Sequence, residues 1–155
     1  MSLERAQKHL EKYGKEKDIQ LFDVSSATVE LAALALNCEP AKIAKTLSFK
    51  LKDDRVILIV FAGDTKVDNA KYKAEFGEKA RMLGFGEVEE RIGHAVGGVC
   101  PFGVNDGVIT YLDESLKRFD IVYPACGTSN SAIGLTIDEL ERISESVGFI
   151  DVGKN

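Results

Sequence analysis

The chain has 155 residues, 45% hydrophobic and 29% charged, values that suit one compact domain over residues 1–155 and exclude a disordered or fibrous chain. Its net charge of -5 is unevenly spread: residues 42–81 carry ten Lys/Arg against six Asp/Glu, leaving a net +4 there and -9 elsewhere, so a basic face is compatible with the acidic total. Three cysteines with no CxxC pair and only two histidines argue against a disulfide framework, a structural zinc site or transition-metal catalysis.

Residues 2–14 have the spacing of an amphipathic helix, with Leu3, Ala6, Leu10 and Tyr13 on one side and Gly14 at its end. "IQLFDV" (19–24) reads as a short strand, and "SSATVELAALALN" (25–37) as a buried helix with a polar start and Asn37 at its exit. The apolar run within it is under half the length that spans a bilayer, and residues 1–17 are highly charged rather than signal-like. A cytoplasmic protein with no membrane partner is expected.

"IAKTLSFKL" (43–51) alternates, placing Lys45 with Leu47, Phe49 and Leu51 on one face and Thr46, Ser48, Lys50 and Lys52 on the other. After the turn "KDDR", the continuous apolar run "VILIVFAG" (56–63) suits a central strand, so the two form a hairpin. "VDNAKYKAEFG" (67–77) is a helix capped by Asp68, stapled by Val67 and Tyr72 and closed by Gly77. "GEVEERIG" (86–93) is a shorter helix. "GVITYLD" and "FDIVYPA" are strands flanking "ESLKR", and "SAIGL" is a weaker strand. Thr136 and Glu139 spell a capping box, with Leu135 and Leu140 as its staple and Gly148 as the stop, before a last strand "FIDVG" (149–153). The order lacks regular βαβ alternation, which predicts an α/β protein of the mixed α+β kind: a mixed, partly barrel-like β-sheet surrounded by helices.

The densest chemistry lies in "GHAVGGVCPFG" (93–103). It is neither GxxxxGK[ST] nor GxGxxG, so a nucleotide site is disfavoured. Gly97 and Gly98 allow close approach of a ligand to the backbone, and free N–H groups there could bind a carbonyl oxygen or oxyanion; a plain glycine-rich turn would look the same. Cys100 is a nucleophile only if activated, with His94 the nearby base, and is otherwise a small buried residue restricted by Pro101. Lys45 on an apolar strand face needs a partner or a polar cavity, unless its head snorkels out. "CGTSNSA" is a small-residue loop with the hydroxyls of Thr128, Ser129 and Ser131.

Together "IAKTLSF", "AGDTKVDNAKYKAEFG", "GHAVGGVCPFG" and "YPACGTSNSAIGLTIDEL" resemble the YbaK/ProX family of aminoacyl-tRNA deacylases, the editing domain associated with prolyl-tRNA synthetase, over about residues 25–152. The resemblance implies a free-standing hydrolase that removes amino acids from misacylated tRNA, with no cofactor and no DNA partner, and with a synthetase as a further possible partner. It places the family's lysine at Lys45 and its GxxxP loop at Gly97–Pro101. It also implies an ester-binding wall of Gly97, Gly98, Val99, Cys100, Pro101 and Phe102, and an aminoacyl pocket lined by Gly127, Thr128 and Ser129. Lys66, Lys71 and Lys73 are the first candidates for tRNA phosphates.

The chain departs from the cysteinyl-tRNA deacylases at Ala125 and Ala132, aligned with a serine and an acidic residue there, and its "SSATVELAALALNCEPAKIAKTLSF" instead resembles members assigned to other small amino acids, such as serine, threonine or alanine. Two other classes compete: a non-catalytic tRNA or synthetase adaptor, and a thiol enzyme using Cys100. On the hydrolase reading, Gly98→Val is expected to fold but to deacylate poorly.

Overall fold

The computed structural model describes residues 2–155. Helix α1 (Ser2–Glu11) buries Ala6, His9 and Leu10 and stops short of Gly14, through which the chain turns at φ 71°. Only two residues of the expected strand 19–24 pair, as β1 (Gln20–Leu21) against β7 (Ser131–Ala132). In α2 (Val29–Leu36) the Thr28 hydroxyl accepts the Leu31 N–H, and Asn37 leaves in the left-handed conformation. The expectation of a buried helix is corrected here: Ala32 and Ala33 are buried, but Leu31 and Leu34 are 41% and 78% exposed. The helix has only eight residues and packs through Ala32 and Ala33 with Val29 and Leu36 beside them, so Leu31 and Leu34 face outward.

Strands β2 (Ile43–Lys50) and β3 (Val56–Ala62) form the expected hairpin, with Lys45 opposite Phe61, Leu47 opposite Ile59 and Phe49 opposite Ile57. Because directly opposed residues share a face, Lys45 does lie with Leu47 and Phe49. That face packs with Phe61, Ile59, Ile57 and Tyr72 of α3 (Asn69–Phe76). The other face is covered too: Val60 and Ala62 meet Ala6 and Leu10 of α1, while Val56 and Leu58 meet Val88 and Ile92 of α4 (Phe85–Ile92). The "polar" side of β2 is therefore not solvated, and Ser48 is buried.

The chain continues through β4 (Lys66–Val67), then α3 and α4, β5 (Ile109–Asp113), a 3-10 turn at Glu114–Arg118 and β6 (Ile121–Pro124). It closes with β7, β8 (Leu135–Thr136), α5 (Ile137–Ile143), β9 (Phe149–Ile150) and β10 (Gly153–Lys154). The Thr136/Glu139 capping box is present. Helix α5 ends at Ser144 rather than at Gly148, because Glu145 takes the left-handed turn at φ 56° while its carboxylate binds Tyr13 and Lys12. The single last strand expected over 149–153 is two strands in different sheets. The buried Asp113 carboxylate accepts the Val152 N–H at 2.9 Å between them, so β9 pairs with β5 and β10 with β4.

Six strands form a mixed sheet in the order β8-β6-β2-β3-β5-β9, curled into a half-barrel with helices around it. No helix among the described residues is long and apolar enough to cross a membrane.

Candidate active site

The edge of β2 is interrupted. At its start, Ile43 and Ala44 pair with β6; at its end, the Ser48 carbonyl accepts the Leu83 N–H and the Lys50 N–H is donated to the Arg81 carbonyl. Since the backbone groups of alternate residues face the same side of a strand, the N–H and C=O of Thr46 face the gap left between these two partners. A cavity of about 360 Å³ opens over that gap, lined by Lys45, Thr46, Leu47 and Ser48 and walled by Gly97, Val99, Ala125 and Ala132. Its size is that of a small-ligand site.

Lys45 is half-buried at this cavity, its Nζ 3.5 Å from the Gly63 carbonyl. Burial pushes its pKa below the usual lysine value; Asp64 opposes the shift and Lys66 adds to it. Asp64 is itself held by Arg118, at 3.0 Å through one guanidinium nitrogen, so no carboxylate is pledged to the Lys45 ammonium alone. Thr46 also borders the cavity, but its hydroxyl, which the strand pattern assigns to the opposite face, is sealed from solvent and has no hydrogen-bond partner among the described residues. Sequence reading missed it because a threonine on a strand is ordinary; only the break in the edge marks it.

The two glycine-containing loops come together. A Cβ on Gly98 would lie 2.5 Å from the Gly127 carbonyl carbon and from the Thr128 nitrogen, so Gly98 is where the loops touch backbone to backbone. Its N–H is donated to the Ala95 carbonyl at 3.0 Å. The N–H groups of Gly97 and Val99 have no acceptor among the described residues, and both residues line the cavity. Gly98 thus acts sterically, and the available amides are its neighbours'. Of the other residues assigned to the site, Cys100, Phe102 and Gly127 are buried behind the wall, Pro101 borders a separate cleft beside α1, and Thr128 and Ser129 lie outside the cavity lining. The Ser129 carbonyl accepts the Ser26 N–H, tying the 127–129 loop to the residues before α2.

The thiol reading fails on geometry. Cys100 is fully buried, and burial pushes its thiol up to about 12. His94 lies 3.5 Å from the sulfur, but its Nε2 is 2.6 Å from the Phe102 carbonyl and must carry the proton donated there. It has no lone pair left at that nitrogen to take the thiol proton, and burial further disfavours its charged form. Behind the wall, His9 accepts the Gly103 N–H through Nδ1 and meets the Ile143 carbonyl through Nε2, clamping α1 and the end of α5 to this segment.

Lys66 and Lys73 are exposed and have no ion pair among the described residues, whereas Lys71 is committed to Asp151 at 3.0 Å and to the Gly153 carbonyl at 2.9 Å. Lys154 stands directly across the β4–β10 ladder from Lys66, so the chain's end supplies a cation that the middle segment alone did not reveal.

Fold and cavity define a small α/β domain in which a half-buried ammonium, two loop residues with unengaged amides and small apolar side chains line one cavity. The chain belongs to the aminoacyl-tRNA editing domain family, which matches residues 23–143. It is 52% identical over all 155 residues to the uncharacterized protein YwhH of Bacillus subtilis (strain 168), covering 99% of that protein. Over 132 residues it is 31% identical to a proline–tRNA ligase of Geobacillus sp. (strain WCH70), covering 81% of this chain but 23% of the ligase. A solved structure described as a candidate trans-editing enzyme for prolyl tRNA synthetase superposes with a TM-score of 0.88 at 30% identity, covering 99% of this chain and 98% of that one.

Proposed function

We propose that the protein is a trans-editing aminoacyl-tRNA deacylase acting on a small amino acid, serine, threonine or alanine before cysteine. The observation that carries this reading is the convergence on one cavity of the Lys45 ammonium and the unengaged Gly97 and Val99 amides. Water attacks the ester carbonyl carbon, the two amides receive the developing oxyanion, and collapse breaks the ester C–O bond, the ribose oxygen leaving with a proton that the water gives up. Lys45 anchors that end; an aminoacyl ester is already activated, so holding it beside water supplies much of the acceleration.

Ala125 and Ala132, where the sequence departs from the cysteinyl-tRNA deacylases, both line the cavity. Neither brings a polar group to the amino-acid side chain. Such a second sieve is needed because one methyl group is worth only about 1–3 kcal/mol in an apolar pocket.

The test is hydrolysis of tRNAs mischarged with Ser, Thr, Ala, Cys and Pro by wild type and Lys45→Ala. Cleavage of one ester by wild type, with a loss of about 10²-fold or more in the variant, is expected. Binding of charged tRNA without cleavage of any ester would leave a non-catalytic adaptor.

A further inference from the structure

Phe85 has no packing task. Its ring is 83% exposed at the first residue of α4, on the rim of the cavity, with Met82 and Val96 beside it at 57% and 48% exposure. Glycines flank it: Gly84 is the N-cap of α4, a position glycine suits, while Gly86 lies inside the helix with no positive φ to require it. Nor does packing require them: a Cβ on Gly86 would meet nothing within 4 Å, and one on Gly84 only Glu87 Oε1 at 3.8 Å. Glycine inside a helix costs about 1 kcal/mol relative to alanine. Neither immediate chain neighbour therefore places a side chain against the ring. The segment is nonetheless fixed, because residues 81–83 are pinned to the end of β2, the strand that carries Lys45.

An ester held at Lys45 and Gly97 is joined through its ribose to the rest of the acceptor strand, which cannot enter a cavity of about 360 Å³, so the RNA end has to pass across the mouth where Phe85 lies. We infer that Phe85, with Met82 beside it, is the platform on which the terminal base of the charged tRNA stacks. This rests on the cavity holding an aminoacyl ester. Stacking reads the π-face of the base rather than its edge, so the platform fixes position without selecting among tRNAs.

The chain has four tyrosines but no tryptophan, so Phe85→Trp introduces a single, selectively excited tryptophan at an exposed position that does not threaten the fold. A CCA-ended acceptor-stem RNA should quench it, and the same RNA with an abasic last residue should not. In parallel, Phe85→Ala should lower the ratio of kcat/KM for an aminoacyl-adenosine ester to that for the corresponding methyl ester by about 10- to 100-fold relative to wild type. Equal quenching by both RNAs, no quenching, or an unchanged ratio overturns the platform. Deacylation without base-dependent quenching discards the platform and leaves the editing reading intact. Base-dependent quenching without hydrolysis of any ester supports the platform and removes the deacylase.

Discussion

Lys45 stands at a cost to stability, because burial disfavours its charged form. Replacing it with methionine should raise Tm by on the order of 2–4 °C while abolishing deacylation, a trade between stability and function measurable by calorimetry and a single assay. The sign of the pH effect follows. Between the lowered folded pKa and the ordinary lysine value, the unfolded chain binds the proton that the folded chain has released, so stability rises with pH across that window. Activity that needs the ammonium moves oppositely, falling with pH earlier than an unperturbed lysine would dictate; a Lys45→Arg enzyme should hold its activity to higher pH. This residue was legible in the sequence because it breaks an alternating strand. Cys100 was not, since a buried thiol and a reactive one have the same neighbours in sequence, and only burial and the His94 proton separate them.

At the scale of elements, the glycine loop was legible as a place of close backbone approach, but which glycine does what was not. Gly98 touches the 127–128 backbone, so the expectation that Gly98→Val folds normally gives way: any side chain there drives two backbones apart. Gly98→Ala should cost about 1–3 kcal/mol by overpacking and deacylate poorly. Gly97→Ala meets only ordinary contacts, at 3.4 Å to Ala27 and 3.6 Å to Ser129, and suffers from its φ of 96° alone, about 1–2 kcal/mol. Denaturant unfolding of the two variants should therefore place the larger loss at Gly98. Helix caps and staples read correctly where side chains close the helix, as at Thr136 and Glu139. The stop of α5 was misplaced because Glu145, rather than a glycine, turns left-handed to reach Tyr13 and Lys12.

For the molecule as a whole, an acidic total coexists with a local cationic pair, Lys66 and Lys154, and with the exposed Lys73 of α3, of which Lys66 and Lys73 were visible in the charge of the middle segment. Three contacts to a single-stranded RNA end give a slope of about -2 in log binding constant against log salt, and Lys66→Glu should flatten it by roughly one contact. A response independent of salt would remove these lysines from binding. The curled sheet was legible as mixed and partly closed because strands and helices do not alternate. The gap in β2 was not, since it depends on β6 and residues 81–83 stopping short of one another in space.

That gap also bears on how the protein avoids sticking to itself. Unpaired strand edges template association with other chains, and this one is tolerable because it is only a few residues long and is closed at both ends. Releasing residues 81–83, for example by Leu83→Lys at a site that is 7% exposed, would lengthen the free edge of β2 as far as Lys50. Such a variant should scatter light on mild heating before it unfolds, whereas the parent chain should not. The opening over Lys45 and Thr46 is thereby kept too narrow to admit a strand.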